Sequence, residues 1–143
     1  MKWYEDPDYH KMCEKAVKIQ ELRGVDLRGE DLWQKGDCYI HPSQCIGFYC
    51  EGCTLEYGWP DGCIWLPTQA QLQDMVKRQE TQKTLDGGYV DLIVGMCFFC
   101  FDYGEIRDPS RKYVRQFTSM EQLWLAYAMF KLYNKTWNGE DWI

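Results

Sequence analysis

Four cysteines fall in one short stretch, CIGFYCEGCTLEYGWPDGC, running from Cys45 to Cys63 with the order Cys-x4-Cys-x2-Cys-x9-Cys. Cys50 and Cys53 flank Glu51-Gly52, the separation of a two-residue hairpin turn in which Gly supplies positive φ. Across such a turn the two thiols stand opposite each other, close enough to meet one Zn2+ or to oxidise together. A structural zinc site takes four N or S ligands, so a second half must come from Cys45 and Cys63, or from Cys38 and His41. Cys45 lies five residues before Cys50 and, along an extended strand, faces the other side. Cys63 is the better partner, but it brings the set only to three. The spacing matches no specific zinc pattern, and the expectation is no cofactor: reduced thiols packed as small apolar residues. A zinc site of Cys50, Cys53, Cys63 and Cys45 is the alternative.

Other candidates for chemistry are sparser. CFFC, Cys97 to Cys100, sits inside an apolar run; read as a strand, its two thiols point to opposite faces, and no helix N-terminus follows to activate either. There are two histidines and three serines. His41 lies near Cys38 and Cys45, so a Cys-His pair is conceivable, but a hydrogen-bonded or exposed imidazole is the commoner outcome. The acid pairs Glu5-Asp6, Glu30-Asp31 and Glu140-Asp141 fall in acidic termini and linkers, where solvation accounts for them. No catalytic constellation emerges, and the expectation is a protein that is not an enzyme.

Composition narrows the partners. A net charge of −6 repels a polyphosphate backbone, which excludes direct nucleic-acid binding as a leading reading. The one basic run, from Arg107 to Arg115, is interrupted by Asp108 and Pro109 and reads as a solvated loop. No stretch has the apolar length of a membrane span, and the first residues lack the apolar core of a signal peptide, so a cytosolic (cytoplasmic) protein with no membrane partner is expected. In that compartment eight cysteines are thiols before they are disulfides. Seven Trp and ten Tyr supply a core of large rings, with Trp59, Trp137 and Trp142 as binding candidates where rings remain exposed.

The elements that would position these residues can be read in order. An amphipathic helix is expected over residues 8–22, with Tyr9, Met12, Cys13, Ala16, Ile19 and Gln20 on one face. DCYIHP is a short strand; CIGFYC and CTLEY flank the hairpin turn; WPDG turns the chain into the strand CIWL. Thr68 and Gln71 form a capping box that opens a helix near residues 69–79. YVDLIVGMCFFCF, rich in β-branched and aromatic residues, is read as a central strand over residues 89–101, and RKYVRQF as another. Thr118 and Glu121 form a second capping box, with Thr118 as cap of a largely buried helix over residues 119–133. Asn138-Gly139 then closes a small hairpin between Trp137 and Trp142. Together these predict one α+β domain spanning residues 1–143, with an antiparallel sheet of four to six short strands packed against three helices.

Three segments, HKMCEKAVKIQELR, WLPTQAQLQDMV and FTSMEQLWLAYAMFKLYNKTWNGEDW, resemble small phage and prophage proteins of clostridia and related Firmicutes. The likeness covers about a third of the chain and brings no catalytic motif. It implies a genetic setting: an accessory protein that binds a host or phage protein, as an inhibitor of a host defence system would, with a basic surface as the natural complement of the acidic chain. A protein that binds or sequesters a nucleotide signal between aromatic rings, and a zinc-stabilised interaction module, are the alternatives.

Overall fold

The structure is a computed structural model that describes residues 2–23, 32–49, 62–81, 88–102 and 112–143. The protein is α+β. Among the described residues there are six α-helices and one three-stranded antiparallel sheet, where three helices and four to six strands are expected from the sequence. The chain clusters into two compact units, Met1–Pro67 and Thr68–Ile143.

In the first unit, a 3-10 turn, Trp3–Glu5, leads into helix α1, Pro7–Lys15. The Asp6 carboxylate accepts from the Asp8 N–H at 3.0 Å and Pro7 occupies the first turn, so both ends of the start signal are used. The expected helix over residues 8–22 is broken at Ala16, whose ψ of 61° leaves the helical region, and resumes as α2, Val17–Gln20. Its apolar face is as the spacing predicts: Tyr9, Met12, Cys13, Ala16 and Ile19 are all buried. Strands β1, Cys38–Ile40, β2, Ile46–Phe48, and β3, Ile64–Leu66, form a sheet in the order β2-β1-β3. Cys38 lies opposite Phe48 on one side and Leu66 on the other. Tyr39 lies opposite Gly47, and a Cβ at Gly47 would come within 2.5 Å of its ring, so the missing side chain is what lets the tyrosine lie across the strand.

Gln20 explains its own place in an otherwise apolar stripe. Its side-chain amide donates to the Trp65 carbonyl at 2.9 Å and accepts from the Trp65 N–H at 2.8 Å. A side chain thus completes the backbone pairing along β3. The Tyr9 hydroxyl donates to the Pro67 carbonyl at 2.5 Å, fastening α1 to the end of the same strand.

The second unit is helical. Helix α3, Gln69–Thr81, opens on the expected capping box: Gln71 N–H donates to Thr68 Oγ1 at 3.2 Å, and Thr68 N–H donates to Gln71 Oε1 at 2.9 Å. Leu72 and Val76 are buried.

Residues 89–101 are not a strand; they form helix α4, Tyr89–Phe101, starting from an extended Gly88. The run of 13 residues is longer than the 4–8 typical of a strand, and Leu92, Met96 and Phe99, its buried residues, recur at helical spacing. β-branched and aromatic content misled because those residues pack as well on a helix with neighbours as in a sheet. RKYVRQF is likewise not a strand: Lys112–Arg115 form the short helix α5, and Tyr113 meets Phe117 edge-on at 5.3 Å, a contact that the four-residue spacing of a helical turn produces.

Helix α6, Met120–Tyr133, buries Gln122 and residues 124–129, more than one face, as its apolar pattern predicts. Its cap is Ser119, not Thr118. After Asn134, in the left-handed conformation, the chain turns and Trp137 bridges Trp142. Asn138 Oδ1 accepts from the N–H groups of Glu140 and Asp141, and Gly139 takes a φ of +102°, so the Asn-Gly turn forms as read.

Candidate functional site

Cys50, Cys53 and Trp59, and with them the expected turn at Glu51-Gly52, lie outside the described residues. The described hairpin turn lies earlier, at residues 41–45, where His41 N–H donates to the Cys45 carbonyl at 2.8 Å and Gln44 takes a positive φ. Cys45 is exposed in this turn and Cys63 is half-buried. Among the described residues, no cluster of three or more His, Cys, Asp or Glu side chains could hold a metal ion.

Cys13 and Cys38 are buried in the first unit. Burial pushes the Cys13 thiol well up, and burial pushes Cys38 up to about 11, with the Asp37 charge adding to the effect. Both are held as neutral thiols and pack as small apolar groups. His41 Nδ1 accepts from the Ser43 hydroxyl at 2.8 Å and from the Ser43 N–H at 3.1 Å, a local turn on an exposed ring. His10 Nε2 donates to the Tyr4 carbonyl at 2.7 Å.

The one buried carboxylate among the described residues of the first unit, Asp37, is committed to structure. Arg23 Nε donates to its Oδ2 at 2.6 Å and Nη2 to its Oδ1 at 3.3 Å, while the Gln34 N–H donates to Oδ2 at 2.7 Å. The same guanidinium lies 3.9 Å from the Trp65 ring centroid. Such an ion pair fixes the loop to the sheet and leaves neither carboxylate oxygen open for chemistry.

Trp137 and Trp142, the other two tryptophans read as contact candidates, face each other at 5.0 Å and are 6% and 7% exposed. The Trp137 N–H donates to the Tyr113 hydroxyl at 3.3 Å and its carbonyl accepts from Gln116 Nε2 at 3.4 Å. The terminal hairpin is closed by its own rings, which offer little area to a partner.

The surface that stands out lies on α4, and sequence reasoning missed it by reading the segment as a buried strand. Leu92, Met96 and Phe99 face inward, with the Phe99 ring 5.4 Å from Tyr127 and 5.2 Å from Phe130 on α6. Gly95 is a point of close approach, since a Cβ there would collide with the Tyr127 hydroxyl. Val90, Ile93, Val94, Cys97, Phe98 and Phe101 point the other way and are exposed, Val90 by 73% and Phe98 by 68%. A groove of about 390 Å³ runs along Ile93, Val94, Cys97, Phe98 and Phe101. Beside it is a second cavity of about 430 Å³, walled by Phe98, Phe99, Phe101, Tyr127 and Phe130, with Asp102 and Lys131 as polar lining. Spacing does not announce this face: Val90, Val94, Cys97 and Phe101 repeat at 4-3-4, which a strand cannot place on one side, but the residues between them are nearly all apolar too, and the readable signal is the length of the run.

The helix also revises CFFC. Residues three apart on a helix are neighbours, so Cys97 and Cys100 share a side of α4 and do not face apart. Cys100 lies in the last turn of the helix, where the dipole disfavours a thiolate, and its thiol is pushed up by burial and then by Cys97. Its thiol donates to Met96 Sδ at 3.9 Å. That environment is the opposite of the one that activates a redox cysteine.

No helix among the described residues is long and apolar enough to cross a membrane. Compared with protein-family models, with curated proteins and with solved structures, the chain has no match.

Proposed function

We propose that this chain is a non-enzymatic binding protein that engages another protein through the outward face of α4. The single observation that carries the reading is a continuous, exposed, uncharged apolar surface on one rigid helix. Patches of that kind mark protein contacts, because leaving them in water costs free energy that a partner recovers. The likeness of three segments to phage and prophage proteins supports a narrower version, an accessory protein that occupies a host macromolecule such as a component of a defence system. The net charge of −6 supports a partner with a basic surface near the contact.

Capture from a host lysate tests it. The chain is expected to retain a protein partner, Phe98→Glu to lose it, and retention to weaken as salt rises from low to physiological where acidic groups steer the encounter. A second reading is favoured by the aromatic cavity of about 430 Å³, whose size and lining suit a planar ring with an anionic tail near Lys131. Finding no retained partner, but a nucleotide bound, altered or consumed by the pure protein, would replace the first reading with this one.

A further inference from the structure

We propose that the occupant of the α4 face is a second copy of the same chain, with the two α4 helices packed antiparallel about a two-fold axis. This rests on reading that face as a protein-binding surface and names a second copy as what covers it until a host partner displaces it.

Val90, Val94, Cys97 and Phe101 follow the 4-3-4 repeat of a helix–helix seam, with Ile93 and Phe98 on its flanks. Side-chain size changes along the seam and its flanks: Val90 and Val94 fill the first half of the seam and Cys97 and Phe101 its second, with Ile93 on one flank and the larger Phe98 on the other. A two-fold axis crossing α4 between Val94 and Cys97 sets Val90 against Phe101 of the second copy and Val94 against Cys97 of the second copy. Small meets large at both ends, which is the self-complementarity that a two-fold interface requires. A parallel pairing would set large on large and small on small. Antiparallel helices also bring opposite dipole ends together.

Charge decides whether two copies of an acidic chain can meet here. The only charged residue in α4 is Asp91, and it falls outside the seam, so no carboxylates are forced together. Area supports the same occupant. With about 150–250 Å² for a whole aromatic side chain, the exposed residues of the face present on the order of 600–700 Å², near the roughly 800 Å² per partner of a stable complex. A bilayer is a poorer fit. Thirteen helical residues span about 20 Å, short of a hydrocarbon core of about 30 Å, and an in-plane helix needs a basic polar side that α4 lacks.

Sedimentation equilibrium at micromolar protein is the test, with a short bis-maleimide crosslinker as a second readout. The expected mass is twice 17.1 kDa for the unaltered chain and 17.1 kDa for Val94→Asp and Phe98→Glu, each with an unchanged far-UV spectrum. Cys97 lies next to the axis, so the crosslinker should give a covalent dimer that Cys97→Ser abolishes. A monomer across the micromolar range, or a dimer that neither substitution weakens, overturns the proposal. The first result is read on the unaltered chain alone, and the second only from variants whose far-UV spectrum is unchanged. A monomer that retains a lysate protein through Phe98 removes the dimer and leaves the binding reading standing; a monomer that retains nothing removes both.

Discussion

Helices α4 and α6 look alike as sequence and behave differently as structure. Each is apolar on every side, 13 residues in one and 14 in the other, and neither has a polar stripe that announces an outer face. Helix α6 meets α3 and the aromatic side of α4, and buries an unbroken run from Trp124 to Met129. Helix α4 buries Leu92, Met96 and Phe99 and leaves its other side in solvent. Apolar content sets how much surface needs covering, and the neighbours within the fold decide how much is covered. The remainder on α4 is the part of this molecule with an unmet need.

The sharpest break of that comparison is a pair of truncations. Leu125→Ala removes a fully buried side chain from α6 and should cost about 2–5 kcal/mol in urea unfolding. Val94→Ala on α4, measured in the Phe98→Glu background so that association does not contribute, should stay within about 0.5 kcal/mol. Equal losses at the two sites would mean that the α4 face is covered within the chain.

The contact between the two helices gives the next largest effect. Gly95→Ala gains about 1 kcal/mol of helix propensity, but its methyl group collides with the hydroxyl of the buried Tyr127. The net result should be a loss of about 1–2 kcal/mol, as for other overpacked sites. Tyr127→Phe removes the obstructing oxygen, so the double variant should recover much of the loss, and a double-mutant cycle reads that coupling directly. Stabilisation by Gly95→Ala alone would show that the helices do not touch at this point.

How much of this was legible in sequence depends on which force selected each element. Capping and turn chemistry is local, and it was read where it acts alone: Thr68 with Gln71, and Asn138-Gly139 between Trp137 and Trp142. The amphipathic face from Tyr9 to Ile19 was legible because polar residues mark its limit, although the break at Ala16 carries no residue signature. Helix α4 was not read, because an all-round apolar run has no periodic contrast, and β-branched content then tips the reading towards strand. Its outward face, the candidate site, became visible only once the helix was known. The cysteines were legible as thiols at Cys13 and Cys38, where burial keeps them neutral, and the hairpin pair Cys50 and Cys53 lies outside the described residues.

The smallest expected effect concerns where α6 begins, and it corrects the reading of TSMEQ. Two frames fit a capping box, Thr118 with Glu121 and Ser119 with Gln122. The second frame supplies the cap: Ser119 Oγ accepts from the Gln122 N–H at 3.2 Å, while Gln122 Oε1 reaches one residue further back and accepts from the Thr118 N–H at 2.9 Å. Burial chooses between them. Gln122 is 2% exposed, and a neutral amide with a backbone partner can be buried there at a much smaller desolvation cost than a glutamate carboxylate. Thr118 contributes its backbone, which survives truncation. Ser119→Ala should therefore cost about 1 kcal/mol and Thr118→Ala only a few tenths, measured side by side by urea unfolding. The reverse order would restore the first frame; equal losses would mean that both hydroxyls share the cap. Since α6 is the better buried of the two helices, a frayed first turn should leave its core packing intact, and the loss from Ser119→Ala should add to that from Leu125→Ala without coupling.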